Sequence, residues 1–308
     1  MNDLEMKYHL PVMLDECIEG LNIRPDGTYV DVTFGGGGHS RAILERLGSE
    51  GRLVAFDQDA DALANTIDDA RFTLLHENFR YMKNFLRLAG VRSVDGVLAD
   101  LGVSSHQLDA GERGFSTRLE GELDLRMDQR QELTARTLVN TAGEGELTRL
   151  FRLYGELPNA SQMARAIVRR RADKEIVTTF DLRDAVAQNL PRGKENKFLA
   201  MLFQALRIEV NGELEALQAM LRQAAEVLAP EGRLVVMSYH SLEDRLVKNY
   251  MKTGNFEGEP EKDFYGNLIA PLAPVERKAL TASAEEVINN PRARSAKLRV
   301  ARKLKIEN

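Results

Sequence analysis

Over roughly its first hundred residues, the chain alternates between short apolar runs and segments whose apolar residues recur every three or four positions. The apolar runs, which are typical of buried strands, cover residues 28–33, 52–59, 71–79 and 94–105. The segments with helical spacing lie between them, at 40–48, 59–67 and 80–90. Ser40 is predicted to be the N-cap of the first helix. This alternation predicts an α/β fold with a parallel sheet covered by helices on both faces.

The alternation stops after the fourth strand and resumes about a hundred residues later. Between about 107 and 210 no strand is predicted, and the spacing indicates a long polar loop followed by successive helices. The pattern then predicts helices at 213–232 and 242–252 and strands at 232–241, 278–283 and 297–305. We therefore expect a core of residues 1–106 and 211–308, interrupted by an inserted helical domain at 107–210 that recognises the substrate. Ligands of open α/β sheets bind at the carboxyl ends of strands, where this insertion occurs.

The composition is that of an ordinary soluble protein, with 43% hydrophobic and 29% charged residues among 308. No apolar run approaches the ~18 residues of a membrane span. The N-terminal sequence lacks the apolar core of a signal peptide, so a cytoplasmic location is expected. The single cysteine, Cys17, is expected to be a buried small residue. One cysteine and five scattered histidines form no zinc-binding pattern, so no metal is expected.

Basic residues cluster in two places, although the formal net charge is −5. Between Pro291 and Ile306 there are seven basic residues and no acidic one. A second cluster lies between Arg165 and Lys174. Local basic patches bind phosphate even on acidic proteins. The candidate contacts to nucleic acid are Arg169, Arg170, Arg171, Arg292 and Arg294. Charge alone does not distinguish such patches from solvated helix and strand faces.

Four consecutive glycines follow the first predicted strand, in the sequence VDVTFGGGGHS at 30–40. Glycines between a strand and a helix let backbone N–H groups approach a ligand closely. The Gly-Lys-Ser/Thr ending of a P-loop is absent, and the dinucleotide pattern G-x-G-x-x-G would need a glycine where Ser40 stands. Asp57 ends the second strand, 20 residues after Gly37, where a carboxylate accepts hydrogen bonds from ribose hydroxyls. Ribose binding without a diphosphate-binding pattern indicates S-adenosylmethionine rather than NAD.

Two further residues at strand ends are candidates for the same site. Phe79, at the end of the third strand, is placed to pack on an adenine, and a role in the core is the alternative. Asp100 ends the fourth strand, near the expected position of a transferred methyl group. Methyltransferases that act on exocyclic amines often carry Asp/Asn-Pro-Pro-aromatic here, whereas this chain has Asp-Leu-Gly-Val.

Seven motifs follow one another along the chain: FGGGGHS, DLGVSSHQLD, ERGFS, LDLRMD, FQALRIEVNGEL, SYHSLEDRLVK and NPRARSAKLR. From about His9 to Lys305 they closely resemble the ribosomal RNA small subunit methyltransferase H family, also called MraW. The resemblance implies a class I S-adenosylmethionine-dependent fold with an inserted helical domain. It also implies methylation of N4 of a cytidine in the decoding region (P site) of 16S rRNA, within the assembled small subunit. The implied cofactor-binding residues are Gly37, Gly38, His39, Asp57, Phe79, Asp100 and Gln107.

Cytosine N4 is a weak nucleophile because its lone pair is conjugated into the ring. A hydrogen-bond acceptor would localise that lone pair as the new C–N bond forms. Asp100, Ser104 and Ser105 are the candidate acceptors, and His240 is a candidate base. The alternative for SYHSLEDR is a helix N-cap with a surface ion pair. His39 is expected to hydrogen-bond the charged end of the cofactor, and a structural histidine is the alternative.

Two stretches depart from the family pattern. Residues 155–158 read Gly-Glu-Leu-Pro where members often have Gly-Glu-Glu, and residues 196–202 lack the His-Pro-x-Thr-Arg that many carry. These departures put RNA contacts in question rather than the cofactor site. Three rival functions remain: a nicotinamide oxidoreductase, a methyltransferase of proteins or small molecules, and a non-catalytic RNA-binding factor. The sequence leaves the oligomeric state open, with a homodimer as one option.

Overall fold

The computed structural model describes residues 11–305, and the chain divides into two compact units. One unit comprises the described residues up to Gly102 together with those from Leu214 onward. The other is the segment Val103–Glu213, here called the inserted unit. The first unit contains a seven-stranded sheet and the inserted unit is helical. The chain therefore leaves the sheet after its fourth strand and returns to it more than a hundred residues later.

The sheet has five parallel strands and an antiparallel edge. Its strands are β1 (Thr28–Asp31), β2 (Arg52–Phe56), β3 (Phe72–Leu75), β4 (Val94–Asp100), β5 (Leu228–Ser238), β6 (Leu272–Pro274) and β7 (Lys297–Lys303). Their order across the sheet is β3-β2-β1-β4-β5-β7-β6. Strands β1 to β5 are parallel, and β7 is antiparallel to both β5 and β6. The residues that follow β1, β2, β4 and β5 therefore meet at one edge of the sheet.

Helices cover the sheet and make up most of the inserted unit. The α-helices are α1 (Leu14–Leu21), α2 (Gly38–Arg46), α3 (Met82–Leu88), α4 (Ser105–Asp109), α5 (Ala135–Thr141), α6 (Glu144–Leu153), α7 (Ala160–Asp173), α8 (Thr179–Val186), α9 (Glu195–Asn211), α10 (Glu213–Val227), α11 (Ser241–Thr253) and α12 (Ala284–Asn289). Helices α4 to α9 belong to the inserted unit. In the part of the chain that the structure describes, no helix is both long and apolar enough to cross a membrane.

Alternate residues of the central strands are buried on opposite faces of the sheet. In β4, Val97 belongs to an apolar cluster that includes Leu221 of α10, whereas Leu98 belongs to a cluster with Ile18 of α1 and Ile43 of α2. A strand that is buried on both faces has no polar side. The sheet therefore accounts for the unbroken apolar runs in the sequence.

The inserted unit has an apolar core of its own, in which Phe151 and Leu202 are fully buried. Residues 103–213 contain no strand, apart from one isolated bridge, as their spacing predicts. The long loop between α4 and α5 is fixed by Asn211. Its side chain accepts a hydrogen bond from the Met127 N–H and donates one to the Leu125 carbonyl. A buried amide that bonds to two points of a loop holds that loop without any regular structure.

The predicted N-cap of the first helix is wrong. Helix α2 begins at Gly38, and its N-cap is Gly37, whose left-handed backbone (φ 77°) favours glycine. Ser40 therefore lies inside the helix. Its hydroxyl donates to the Asp31 carboxylate at 2.7 Å instead of capping.

The helix predicted at 59–67 is present as a 3₁₀-helix at Ala60–Asn65, and the Asp59 side chain, its N-cap, accepts the Asp61 N–H. Another local prediction is wrong. The strand predicted at 278–283 is a single bridge at Leu280. The edge strand is instead β6, which pairs with β7 and ends at a proline that an edge position tolerates.

Candidate functional site

The glycine run forms a turn without side chains between β1 and α2. Gly35 and Gly37 both have positive φ, at 51° and 77°. A Cβ on Gly37 would lie 2.9 Å from the Phe34 ring, and one on Gly38 would overlap Cγ of Pro11. Only glycine fits these positions, because the Phe34 ring and Pro11 pack directly against the backbone of the turn.

Asp57 follows β2 and connects to this turn through hydrogen bonds. Its Oδ2 accepts the Gly35 N–H at 2.7 Å, and its Oδ1 accepts the Asp59 N–H at 2.9 Å. Burial raises the pKa of Asp57 to about 6. Each carboxylate oxygen keeps a further lone pair, so the fixed group can still accept two hydroxyl hydrogens. This pair of acceptors fits the ribose diol of S-adenosylmethionine.

Side chains that the sequence patterns did not single out fix the neighbouring turns. The Asn65 side chain donates to the Gly35 carbonyl at 3.0 Å. The Asn78 side chain donates to Oε1 of Gln58 at 2.5 Å, which joins the turn after β3 to the turn after β2. Phe79 begins the next 3₁₀-helix, is partly buried, and packs against the core cluster. Its predicted contact with an adenine stays a prediction.

Asp100 ends β4 and is held mainly by side chains. Its Oδ1 accepts the Tyr239 hydroxyl hydrogen at 2.8 Å, and its backbone N–H donates to the Thr33 hydroxyl at 2.7 Å. Its Oδ2 lies 4.0 Å from Nδ1 of His39, beyond hydrogen-bond distance. Burial raises the pKa of Asp100 to about 6, yet 24% of its side chain is exposed. The carboxylate is therefore both fixed and reachable.

His39 is a buried, neutral histidine with one ring nitrogen engaged. Its Nε2 lies 3.3 Å from the Val12 carbonyl, which can only accept, so Nε2 carries the ring hydrogen. Burial lowers the pKa of His39 despite the nearby Asp100. Nδ1 then presents a lone pair beside Oδ2 of Asp100. A neutral imidazole nitrogen with a free lone pair suits the ammonium group of an amino-acid ligand.

Tyr239 and Thr33 are the functional candidates that sequence reasoning missed. Both lie in motifs already noted, SYHSLEDR and VDVT. Sequence reasoning missed them because it did not provide the order of the strands in the sheet. Because Asp100 pairs with Met237 in the parallel β4–β5 register, Tyr239 emerges beside it at the same edge. Tyr239 thereby fixes the Asp100 carboxylate, and Thr33 fixes the backbone of the same residue by accepting its N–H.

The remaining predicted polar residues act as helix caps. Ser104 is the N-cap of α4, where its hydroxyl accepts the Gln107 N–H and its own N–H donates to the Gln107 side chain. The side chain of Ser105 lies outside what the structure describes. His240 is the N-cap of α11 and accepts the Glu243 N–H through Nδ1. Its Nε2 is 3.2 Å from Oε1 of Glu243, in an alignment that makes no hydrogen bond.

The candidate phosphate-binding arginines of α7 differ in how they are engaged. The Arg171 guanidinium donates to the carbonyls of Val139 and Ala142, both at 2.7 Å, and so holds the end of α5. Arg170 is partly buried and lies 3.9 Å from Asp181. Arg169 is exposed. Within this cluster the exposed Arg169 is best placed to meet a phosphate.

Four of the seven basic residues in the C-terminal run already have hydrogen-bond partners. Residues 297–303 form β7, and their cationic groups have acidic or carbonyl partners. These pairs are Lys297 and Arg299 with Asp244, Arg302 with Glu231, and Lys303 with the Ala225 carbonyl. Before the strand, Arg292 is partly buried and Arg294 is exposed. Arg294 is therefore the clearest candidate of this run.

The sheet order with its antiparallel β7, the glycine turn after β1 and the carboxylate after β2 define a class I S-adenosylmethionine-dependent methyltransferase. Residues 6–304 match the model of the MraW methylase family, and the chain belongs to that family.

Several known proteins are similar to the chain. The ribosomal RNA small subunit methyltransferase H of Christiangramia forsetii is 56% identical over 299 residues, covering 97% of this chain and 99% of that protein. The protein of the same name from Flavobacterium psychrophilum is 57% identical over 291 residues, covering 94% and 100%. A solved structure described as a putative rRNA-methylase from Clostridium thermocellum is 13% identical with a TM-score of 0.45, covering 96% and 98%. A structural likeness this weak does not bear on function.

Proposed function

We propose that this protein transfers a methyl group from S-adenosylmethionine to N4 of a cytidine in the decoding region (P site) of 16S rRNA in the small ribosomal subunit. Family membership and the names of the similar proteins support the ribosomal substrate. The observation that carries the chemistry is the reachable Asp100 carboxylate at the end of β4, fixed by Tyr239. A substrate of this kind places the enzyme in the cytoplasm.

The cofactor site is assigned to the turn after β1 and the residues around it. When bound, S-adenosylmethionine supplies a methyl group made electrophilic by its sulfonium. The methionine portion is assigned to the glycine turn that includes Gly37 and Gly38, and Nδ1 of His39 accepts from its ammonium group. Asp57 accepts the ribose hydroxyls, and Phe79 packs on the adenine. Gln107, which the family resemblance also implies, takes part in the capping box of α4.

Asp100 is the proposed acceptor for the amine. Its Oδ2 can accept an N4–H hydrogen bond while Tyr239 holds Oδ1 in place. A carboxylate whose pKa is raised to about 6 is ionised at neutral pH and is a stronger proton acceptor than an ordinary aspartate. The target base must leave its stack to reach a buried acid. Ser104, Ser105 and His240 remain secondary candidates, because Ser104 and His240 already cap helices.

Methyl transfer to the proposed substrate tests this function directly. Purified enzyme would be incubated with methyl-labelled S-adenosylmethionine and small subunits from a strain that lacks the modification, and the rRNA would be digested to nucleosides. We expect label in N4-methylcytidine alone. Label in another nucleoside, or in protein, would contradict the proposed substrate, and the same assay with NAD as sole cofactor should give no reaction.

Contact with rRNA is assigned to the inserted unit and to exposed arginines outside it. Replacing both Arg169 and Arg294 by glutamine should reduce the slope of log affinity against log salt by ~0.7–0.9 for each phosphate that these arginines neutralise. Arg302→Gln is the matched control, because that side chain already pairs with Glu231. Equal slopes for the double variant and the control would show that neither arginine meets the RNA.

A further inference from the structure

The segment 255–271, here called the acidic arm, displays two aromatic side chains to solvent. It connects the end of α11 to β6. Phe264 is 97% exposed and Tyr265 is 85% exposed, and Leu268 and Ile269 nearby are about half exposed. Contiguous apolar side chains this exposed are characteristic of binding surfaces. Methyl transfer as proposed above assigns them no role.

The base of the acidic arm is anchored on the sheet unit. The Phe256 ring stacks on Tyr250 of α11, with centroids 5.0 Å apart, and the Arg222 guanidinium lies 4.7 Å from its centroid. The Asn249 side chain donates to the Phe256 carbonyl at 2.9 Å. At the other end, β6 continues into the sheet. Both ends of the arm are therefore fixed.

The tip of the acidic arm is an ordered turn. The Asp263 N–H donates to the Asn267 carbonyl at 2.9 Å, and Oδ1 of Asp263 accepts the Tyr265 and Asn267 N–H groups at 2.9 and 2.8 Å. Hydrogen bonds from Asn267 lower the pKa of Asp263, so the turn keeps its carboxylate ionised. Gly266 supplies the positive φ (87°) that the turn requires. A turn held this way presents its aromatic rings at little entropic cost on binding.

The charges around the rings define the partner's chemistry. The arm carries four acidic residues and one lysine, and all four acids are exposed. The acids are Glu257, Glu259, Glu261 and Asp263. These four acids would repel an RNA backbone and attract a basic protein surface. Aromatic anchors inside a charged rim are typical of protein–protein contacts.

We propose that the acidic arm docks on a basic protein of the substrate particle, with Phe264 and Tyr265 entering an apolar cleft and the glutamates facing surrounding lysines and arginines. The inference rests on the proposed function, since a small ribosomal subunit supplies proteins that are basic because they neutralise rRNA phosphates. The arm then aligns the enzyme on the assembled particle, separately from the contacts that hold the target cytosine.

Binding to intact subunits and to protein-free 16S rRNA tests the docking. The variant Phe264→Ser/Tyr265→Ser removes two exposed rings and no core contact. Its matched control is Ile288→Ser, which removes another exposed apolar side chain (79%) on α12. We expect the tip variant to bind subunits at least ~10-fold more weakly than wild type, because central aromatic anchors dominate interfaces. Binding to protein-free rRNA and affinity for S-adenosylmethionine should be unchanged.

Neutralising the three glutamates of the acidic arm supplies a second measurement. Glu257→Gln/Glu259→Gln/Glu261→Gln should weaken subunit binding at low salt and make it less sensitive to salt. Equal affinity of the tip variant and the Ile288 control for subunits would overturn docking. If the tip variant also binds protein-free rRNA more weakly, to the same extent, the rings stack on RNA bases instead. If wild type is a dimer in light scattering and the tip variant is a monomer, the rings contact a second copy of the chain. Failure of wild type to bind or methylate subunits would instead remove the proposed function itself, and the docking with it.

Discussion

Asp57 and Asp100 stand at corresponding places in the sheet, after β2 and at the end of β4, but they are held in different ways. Burial raises both pKa values to about 6. Both oxygens of Asp57 accept backbone N–H groups, at 2.7 and 2.9 Å. Asp100 is held at one oxygen by a tyrosine hydroxyl, and its other oxygen lies 4.0 Å from His39.

Under the proposed function, this difference in hydrogen bonding distinguishes a carboxylate that binds the cofactor from one that accepts from the substrate amine. Backbone donors fix the Asp57 carboxylate in one geometry, which suits a constant partner such as a sugar diol. The Tyr239 hydroxyl, a side-chain donor, leaves the other oxygen of Asp100 available and tunes how strongly the carboxylate attracts a proton. Similar burial and similar pKa values therefore accompany two roles, and substitutions should separate those roles in kinetics.

Loss of the Asp100 carboxylate should have the largest effect. We expect Asp100→Ala to lower kcat by about 10²–10⁴-fold, the range that positioned acid–base groups contribute. Affinity for S-adenosylmethionine should change much less, and circular dichroism should show an intact fold. Single-turnover methylation of small subunits measures the rate, and calorimetry measures the affinity. Near-normal turnover would remove Asp100 from the chemistry.

Loss of the Asp57 carboxylate should have the opposite effect: it should weaken cofactor binding and leave kcat nearly unchanged. Because hydrogen bonds to a charged group contribute about 1.5–3 kcal/mol, Asp57→Ala should weaken cofactor binding by roughly 10–100-fold. At saturating cofactor, kcat should stay within a few-fold of wild type. Asp69→Asn, at a partly buried ion pair with Arg71, is the matched control and should leave both values unchanged. An equal loss of kcat in the Asp57 and Asp100 variants would erase the contrast between them.

Both raised pKa values predict a pH dependence of stability without ligand. Between the ordinary value of 3.8 and about 6, the native carboxyls hold protons that the unfolded chain has released. Their contribution is therefore greatest below about 4 and is lost as pH rises through about 6. The Asp57→Asn/Asp100→Asn variant should remove a slope of at most about 1.4 kcal/mol per pH unit per group, less for the partly exposed Asp100. Urea denaturation of both proteins from pH 4 to 8 measures the difference, and parallel curves would contradict it.

The alternating elements and the acidic residues at the strand ends could be predicted from the sequence, because strands buried on both faces of a parallel sheet consist of unbroken apolar runs. Asp57 and Asp100 were found because each follows such a run. Tyr239 was missed because its meeting with Asp100 depends on β5 pairing beside β4 across the insertion. Local periodicity contains no information about strand order.

The basic residues show a second limit of sequence reasoning. A run of positive charge looks like a phosphate-binding surface, but β7 places Arg299 on Asp244 and Arg302 on Glu231. Arg171 resembles its neighbours in sequence, yet its guanidinium holds two backbone carbonyls. Whether a cation is free depends on partners distant in the chain, which composition does not reveal.

Removal of the Tyr239 hydroxyl should have the smallest effect on kcat. It tests whether the hydrogen bond to Asp100, which Asp57 lacks, sets the pKa of the Asp100 carboxylate. Tyr239→Phe keeps the ring and deletes the hydrogen bond that lowers the Asp100 pKa. The pKa of Asp100 should then rise, so the acidic limb of the kcat profile should move to higher pH. At pH 7 we expect a several-fold lower kcat, from a carboxylate that is less fixed and less fully ionised. At pH 8.5 part of this loss should recover, and cofactor affinity, set by the backbone-held Asp57, should not change. A loss that is the same at every pH would mean that Tyr239 only packs beside Asp100, and that side-chain donors do not tune the reacting carboxylate.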